Sequence, residues 1–220
     1  MSGNNLIINN KSRKRRITTP LIALLIAVVI SIAFASVFVY YPMAVTLQPV
    51  QPPVYFAEGT NSNQDDLWTG NKISVLIGSN KTSLTIIVHP TYQVTYYKNV
   101  SIVYNNDSGR AYLVCFRVYT PLSNLPPGSE AYLYIYAASS TRSLSGYPTP
   151  TPSGYLKQIN LKSTGTTCVV TLGGKGYLEM DLYIYIPEGY DVGMTSGTTY
   201  TANLLLIYTP QTSETSETLP

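Results

Sequence analysis

His89 is the only histidine in the sequence. A blue-copper centre needs two imidazoles and a metalloprotease helix needs His-Glu-x-x-His, so neither can be assembled. A Ser-His-Asp relay is arithmetically open, but no Gly-x-Ser-x-Gly elbow is present and His89 stands before Pro90 at a strand end. Charge is scarce as well, at 11% of residues, where about a quarter is usual for a soluble domain. Five of the 14 basic residues fall in the run Lys11-Ser12-Arg13-Lys14-Arg15-Arg16, so the formal +3 misrepresents the remainder, which is slightly acidic. No basic patch is left to hold a phosphate backbone, and nucleic-acid binding is not expected.

Between Arg16 and Glu58 there is no charged residue at all. Ile17–Ala35 is nearly all apolar, and at about 1.5 Å per residue such a helix would cross most of a bilayer core of about 30 Å. The basic flank stays in the cytoplasm, and the chain beyond the apolar run is exported. A type IV prepilin peptide, cut near Arg16 with the apolar helix retained, is disfavoured because Arg16 runs directly into Ile17 with no Gly or Ala at the junction. Two readings are weighed above it. One is a signal peptide cut at the small-x-small site Ala33-Phe34-Ala35, which leaves Ser36 as the new N-terminus; the other is a retained anchor.

Beyond the possible cut, Val37, Val39, Tyr41, Met43, Val45 and Leu47 recur with a period of two, giving one continuously apolar face of an extended strand. Gln48-Pro49-Val50-Gln51-Pro52-Pro53 comes next as a stiff hinge, because proline fixes φ and donates no hydrogen bond. Such a strand is either free on a rigid leash or the first strand of its own sheet.

The rest of the chain reads as strands. Runs at Lys72–Gly78, Ser83–His89, Asn99–Tyr104, Ala111–Tyr119, Tyr155–Lys162, Thr166–Leu172 and Thr199–Thr209 are divided by Gly, Asn, Asp and Pro clusters. Tyr132, Tyr134 and Tyr136 alternate with aliphatic residues, and so do Tyr177, Glu179, Asp181, Tyr183 and Tyr185, which places tyrosine on an outer face. Most of the 20 tyrosines are expected to coat a nearly neutral surface. Ala111–Tyr119 is apolar on both faces and so central in its sheet. Ser139–Gly154 reads as a projecting loop or linker, and Gly173-Gly174-Lys175-Gly176 as a tight turn.

No helix is credible after residue 36. The fold class is all-β: an antiparallel β-sandwich, jelly-roll or Ig-like, preceded by the apolar signal or anchor helix. The expected segments are 1–16, the basic flank; 17–35, signal or anchor; 36–56, apolar strand and hinge; 57–210, the sandwich; and 211–220, a disordered Thr-Ser-Glu tail.

Three sequons lie in the exported part, at Asn80, Asn99 and Asn106, as candidates for N-glycosylation. Cys115 and Cys168 are read as a disulfide, since exported pairs usually oxidise; two buried free thiols are the alternative. Asp65 and Asp66 near Asn61 and Asn63, and Glu179 with Asp181, have oxygen ligands for Ca²⁺, yet neither set matches a loop motif and solvated surface carboxylates are expected instead. No metal or other cofactor is expected.

The run Val45–Phe56 (VTLQPVQPPVYF), the segment His89–Val103 (HPTYQVTYYKNVSIV) and the tyrosine-rich strands resemble the thread and bundling-pilus subunits of thermophilic archaea, distant relatives of the bacterial TasA biofilm fibres. The resemblance spans most of residues 36–210. It implies donor-strand exchange, in which Val37–Leu47 of one subunit completes the sandwich of the next, giving a head-to-tail homopolymer that is extracellular, N-glycosylated, structural and not enzymatic. Its partners would be copies of itself, with other surface filaments or the S-layer beyond, and its only membrane contact the segment before cleavage. Pro42 departs from the pattern by interrupting the donor. Two other readings stand beside it: a monomeric, membrane-anchored surface module for binding, and an enzyme that would need a concave site with two close acids.

Overall fold

A computed structural model describes residues 18–33, 39–188, 198–210 and 212–214. Residues 1–48 and 49–220 are separate compact units. In the first, Thr18–Ala33 forms helix α1 of 16 residues, built largely from Leu, Ile, Ala and Val with no charge. Among the described residues no helix is long and apolar enough to cross a membrane. Ala35, Ser36 and Val37 lie outside the described residues.

The second unit contains β1 (Val54–Glu58), β2 (Ser74–Ile77), β3 (Leu84–Ile87), β4 (Gln93–Asn105), β5 (Tyr112–Thr120) and β6 (Glu130–Ala137). After these come β7 (Ser143–Ser145), β8 (Thr151–Ser153), β9 (Lys157–Asn160), β10 (Gly165–Leu172), β11 (Tyr177–Ile186) and β12 (Asn203–Thr209). A five-stranded sheet runs β1-β4-β11-β6-β9 and a three-stranded sheet β10-β5-β12, while β2-β3 and β7-β8 are separate two-stranded pairs. Every one of these pairings is antiparallel. The result is sandwich-like, and β5 is central in its sheet, as its two apolar faces require.

The core is built on period-two alternation. Val114, Phe116 and Val118 of β5 pack in one buried cluster with Val103, Leu133, Ile135, Leu178 and Met180 of the five-stranded sheet. The intervening Cys115 faces the other way and stands directly opposite Cys168. The two are bonded as a disulfide with Cα atoms 3.9 Å apart.

Two corners show why local sequence sets the topology. The fully buried Asn105 ends β4, and its Nδ2 donates to the carbonyls of Arg110 at 2.9 Å, Leu172 at 3.1 Å and Gly173 at 3.0 Å, tying both sheets together. Gly174, in the β10–β11 turn, lies so near this corner that a Cβ there would stand 2.7 Å from the Ser108 carbonyl oxygen. The turn that contains Lys175 is thus a structural corner, its Nζ donating to the Asn106 carbonyl at 2.6 Å.

Four expectations change. β1 pairs with β4 and buries Val54, so the sheet begins before residue 57. β4 starts at Gln93 and not at Asn99, because the register slips opposite Asp181, and a bulge there hides the continuity of the strand. The Ser139–Gly154 segment is not a free linker: it carries the β7-β8 hairpin, and Arg142 at its root packs against β11. The outer face of the five-stranded sheet is not a tyrosine coat in solvent, since Tyr134, Tyr136 and Tyr183 form a second buried cluster.

Candidate functional site: a groove between two sheet edges

Among the described strands, β12 pairs only with β5, and β3 only with β2. Each therefore ends its sheet with an edge whose outward backbone groups no strand takes up. The two edges wall the same groove, of about 530 Å³. Leu84, Ile86 and Val88 line one wall and Leu204, Leu206 and Tyr208 the other. These six side chains are only half-buried against the core, so the core is left open along this line. Leu133, Met180 and Leu182 of the five-stranded sheet form its floor. Among the described residues Lys81 is the only charged one in the lining, and its Nζ sits 4.7 Å from the Tyr55 ring centroid. What the described lining offers is apolar side-chain space beside two open edges.

In the first unit, residues 39–48 adopt no regular secondary structure. Val39, Tyr41, Met43, Val45 and Leu47 are all 66% or more exposed. These five of the six expected donor side chains are thus exposed.

The opposite face of the five-stranded sheet holds a polar cluster that sequence reasoning did not assemble. Asp181 and Glu179 are 0% and 6% exposed. Arg142 Nε donates to Asp181 at 2.7 Å, its Nη2 to Glu179, and its Nη1 to the Ser140 carbonyl at 3.1 Å. The guanidinium also lies 4.4 Å from the Tyr136 ring centroid. Tyr96 donates its hydroxyl to Asp181, and the Asn99 amide freed by the β4 bulge donates to the same carboxylate at 2.7 Å. Burial, then the Asp181 carboxylate, pushes the Tyr96 phenol far above its ordinary value. Burial works against the Arg142 charge, but Asp181 and Glu179 outweigh it and raise its pKa. Arg142 is the sole charged residue between Glu130 and Lys157, and that was the available signal.

This overturns the expectation of solvated carboxylates at Glu179 and Asp181. Their lone pairs are taken by Arg142, Tyr96 and backbone, which leaves no room for Ca²⁺ and no free acid pair for hydrolysis. The other acidic set is divided too. Asp65 pairs with Lys72 at 3.3 Å, while the buried Asp66 accepts from the His89 amide at 2.8 Å and stands 2.9 Å from His89 Nδ1. Among the described residues no group of three or more His, Cys, Asp or Glu side chains stands close enough to hold a metal ion.

The sequons separate by burial. Asn80 sits in the exposed β2–β3 turn and Asn106 is exposed beside the β10–β11 corner. Asn99 is 6% exposed, at φ 44°, beneath the chain at Gly59, where a Cβ would lie 2.1 Å from the Asn99 carbonyl oxygen. The folded chain has no space for a glycan there, so Asn99 leaves the candidate set.

In comparison with known proteins, the chain matches no family model and no curated sequence.

Proposed function

We propose that this chain is a structural, non-catalytic subunit of an extracellular filament of the archaeal thread or bundling-pilus kind, assembled by donor-strand complementation. Residues 37–47 of one copy enter the groove between β3 and β12 of the next. The observation that carries the reading is the second layer itself: two open edges flank an apolar groove in a chain that also holds an exposed apolar segment with strand periodicity. On this reading the sandwich, of jelly-roll or Ig-like class, lacks one strand and receives it in trans.

The five apolar donor side chains from Val39 to Leu47, at about 1.5–3 kcal/mol each, give on the order of 10 kcal/mol before the losses of association. Donor and acceptor are different surfaces, so the contact is heterologous and propagates head to tail. Pro42 is accommodated by the unequal walls. β3 spans Leu84–Ile87 and β12 the longer Asn203–Thr209, so part of the donor has a partner on one side only, and a missing N–H costs nothing on the open side.

Export is supported by the basic flank and the apolar α1, with Asn80 and Asn106 open to glycans at the cell surface, and other filaments or the S-layer as further contacts. The test is mass spectrometry of the native N-terminus together with electron microscopy of material sheared from cells. Filaments whose subunit starts at Ser36 are expected. A subunit that keeps α1 and never polymerises would replace this reading with the anchored monomeric module.

A further inference from the structure

The stretch that joins the apolar segment 37–47 to β1 is Gln48-Pro49-Val50-Gln51-Pro52-Pro53. Its far end is fixed at the groove: Asn106 N donates to the Pro53 carbonyl at 2.7 Å, and Phe56 N to the Lys81 carbonyl at 3.0 Å. Val54, Tyr55 and Phe56 line the groove themselves. The groove nearest along the chain to any donor segment is therefore its own. A short flexible connection would hold that segment at an effective concentration on the order of millimolar, about a thousandfold above subunits at about 1 μM. On concentration alone each copy would fill its own groove, and no polymer would form.

We propose that residues 48–53 act as a guard that keeps the donor out of its own groove and commits it to a second copy of the chain; the inference rests on the filament reading above. To lie in its own groove, the segment has to double back within these six residues. Pro49, Pro52 and Pro53 are held at φ near about −65°. Gln48, Gln51 and Pro52 each precede a proline and are held out of the helical region. The two-residue hairpin turns that match strand twist need φ > 0 at their first central position, and the stretch has no Gly, Asn or Asp to supply it. Val50 alone escapes both proline rules, and a β-branched residue at φ > 0 is an outlier. Residues 49–52 accordingly contain neither turn nor helix. Left extended, the six residues reach about 19 Å, which carries the donor away from Val54 and not back along it.

Two variants of equal length separate stiffness from reach. In one, Pro49→Gly and Pro52→Gly are combined with Gly-Ser-Gly-Ser inserted after Gln51; in the other the native residues are kept and Pro-Gln-Pro-Gln is inserted at the same point. Both are produced as full chains beside the native one, and cell-surface and culture fractions are sized by sedimentation and electron microscopy. The native chain and the proline insertion should polymerise, while the glycine variant should lose polymer by about tenfold or more. The glycine monomer should melt about 5 °C or more above the same variant carrying Val45→Asp, because its groove is filled by its own strand. A glycine variant that polymerises like the native chain would overturn the guard and leave the filament reading intact. So would a glycine monomer whose melting Val45→Asp does not change, since its groove is then empty, or a proline insertion that fails to polymerise, since length would then decide and not stiffness. A native chain that never polymerises would remove the filament reading and the guard with it.

Discussion

Substituting Val45 by aspartate should abolish polymerisation while leaving the subunit folded. Val45 is 71% exposed in the chain by itself, so the subunit has nothing to lose. In the groove its side chain would meet Leu, Ile and Met, with Lys81 as the only charge among the described lining residues. The loss of valine burial is about 1.5 kcal/mol, and desolvating a carboxylate there adds several kcal/mol unless it takes up a proton. A total near roughly 4 kcal/mol weakens each subunit contact about a thousandfold. The control is Ala44→Asp, one residue away on the opposite face of the extended donor, which should leave the contact within a few-fold of native. Sedimentation and electron microscopy of purified protein measure assembly, and thermal melting of the monomer checks the fold. Native-like filaments from Val45→Asp, or equal damage from both variants, would refute the inserted-strand geometry.

Arg142→Met should cost about 3–5 kcal/mol by leaving Asp181 and Glu179 buried without a cation, seen as a melting point lowered by about 10 °C or more; adding Glu179→Gln and Asp181→Asn to the same chain should recover most of it. Burial raises the phenol pKa of Tyr96, Tyr134, Tyr136 and Tyr183. The folded state therefore favours the protonated phenols: their contribution is intact below the unfolded value of about 10 and is lost as pH climbs above it. A tyrosinate titration by ultraviolet absorbance should show these phenols ionising only with unfolding, and an ordinary titration in the folded state would contradict the burial. Reduction of Cys115–Cys168, which closes a separation of 53 residues, should lower stability by about 4 kcal/mol, measured as the urea midpoint with and without reductant.

Much of the fold was legible where the pattern is local. β11 shows its alternation along its whole length, the apolar β5 announces its central place, and the turns at 105–109 and 173–176 are written in Asn, Asp and Gly. The disulfide expected between Cys115 and Cys168 is present. What misled was exposure. Tyr134 and Tyr136 alternate with Ile135 as in a sheet with one wet face, and only the distant Arg142 over Tyr136 and Tyr155 against both rings turn part of that face into a second interior. Asn99 satisfies a sequon, and a bulge opposite Asp181 hides it.

The sequence by itself determined the basic flank with its apolar run, the β class, the strand faces and the apolar segment from Val37 to Leu47. Each of these depends on neighbours within a few residues, through steric preference and period-two exposure. Tertiary structure alone decided that β12 and β3 stop short of one another, that their facing side chains leave the core open, and that Arg142 reaches two carboxylates 37 and 39 positions away. These are pairings between distant segments, set by which edges meet once the sheets pack, and no local pattern encodes which edge remains without a partner.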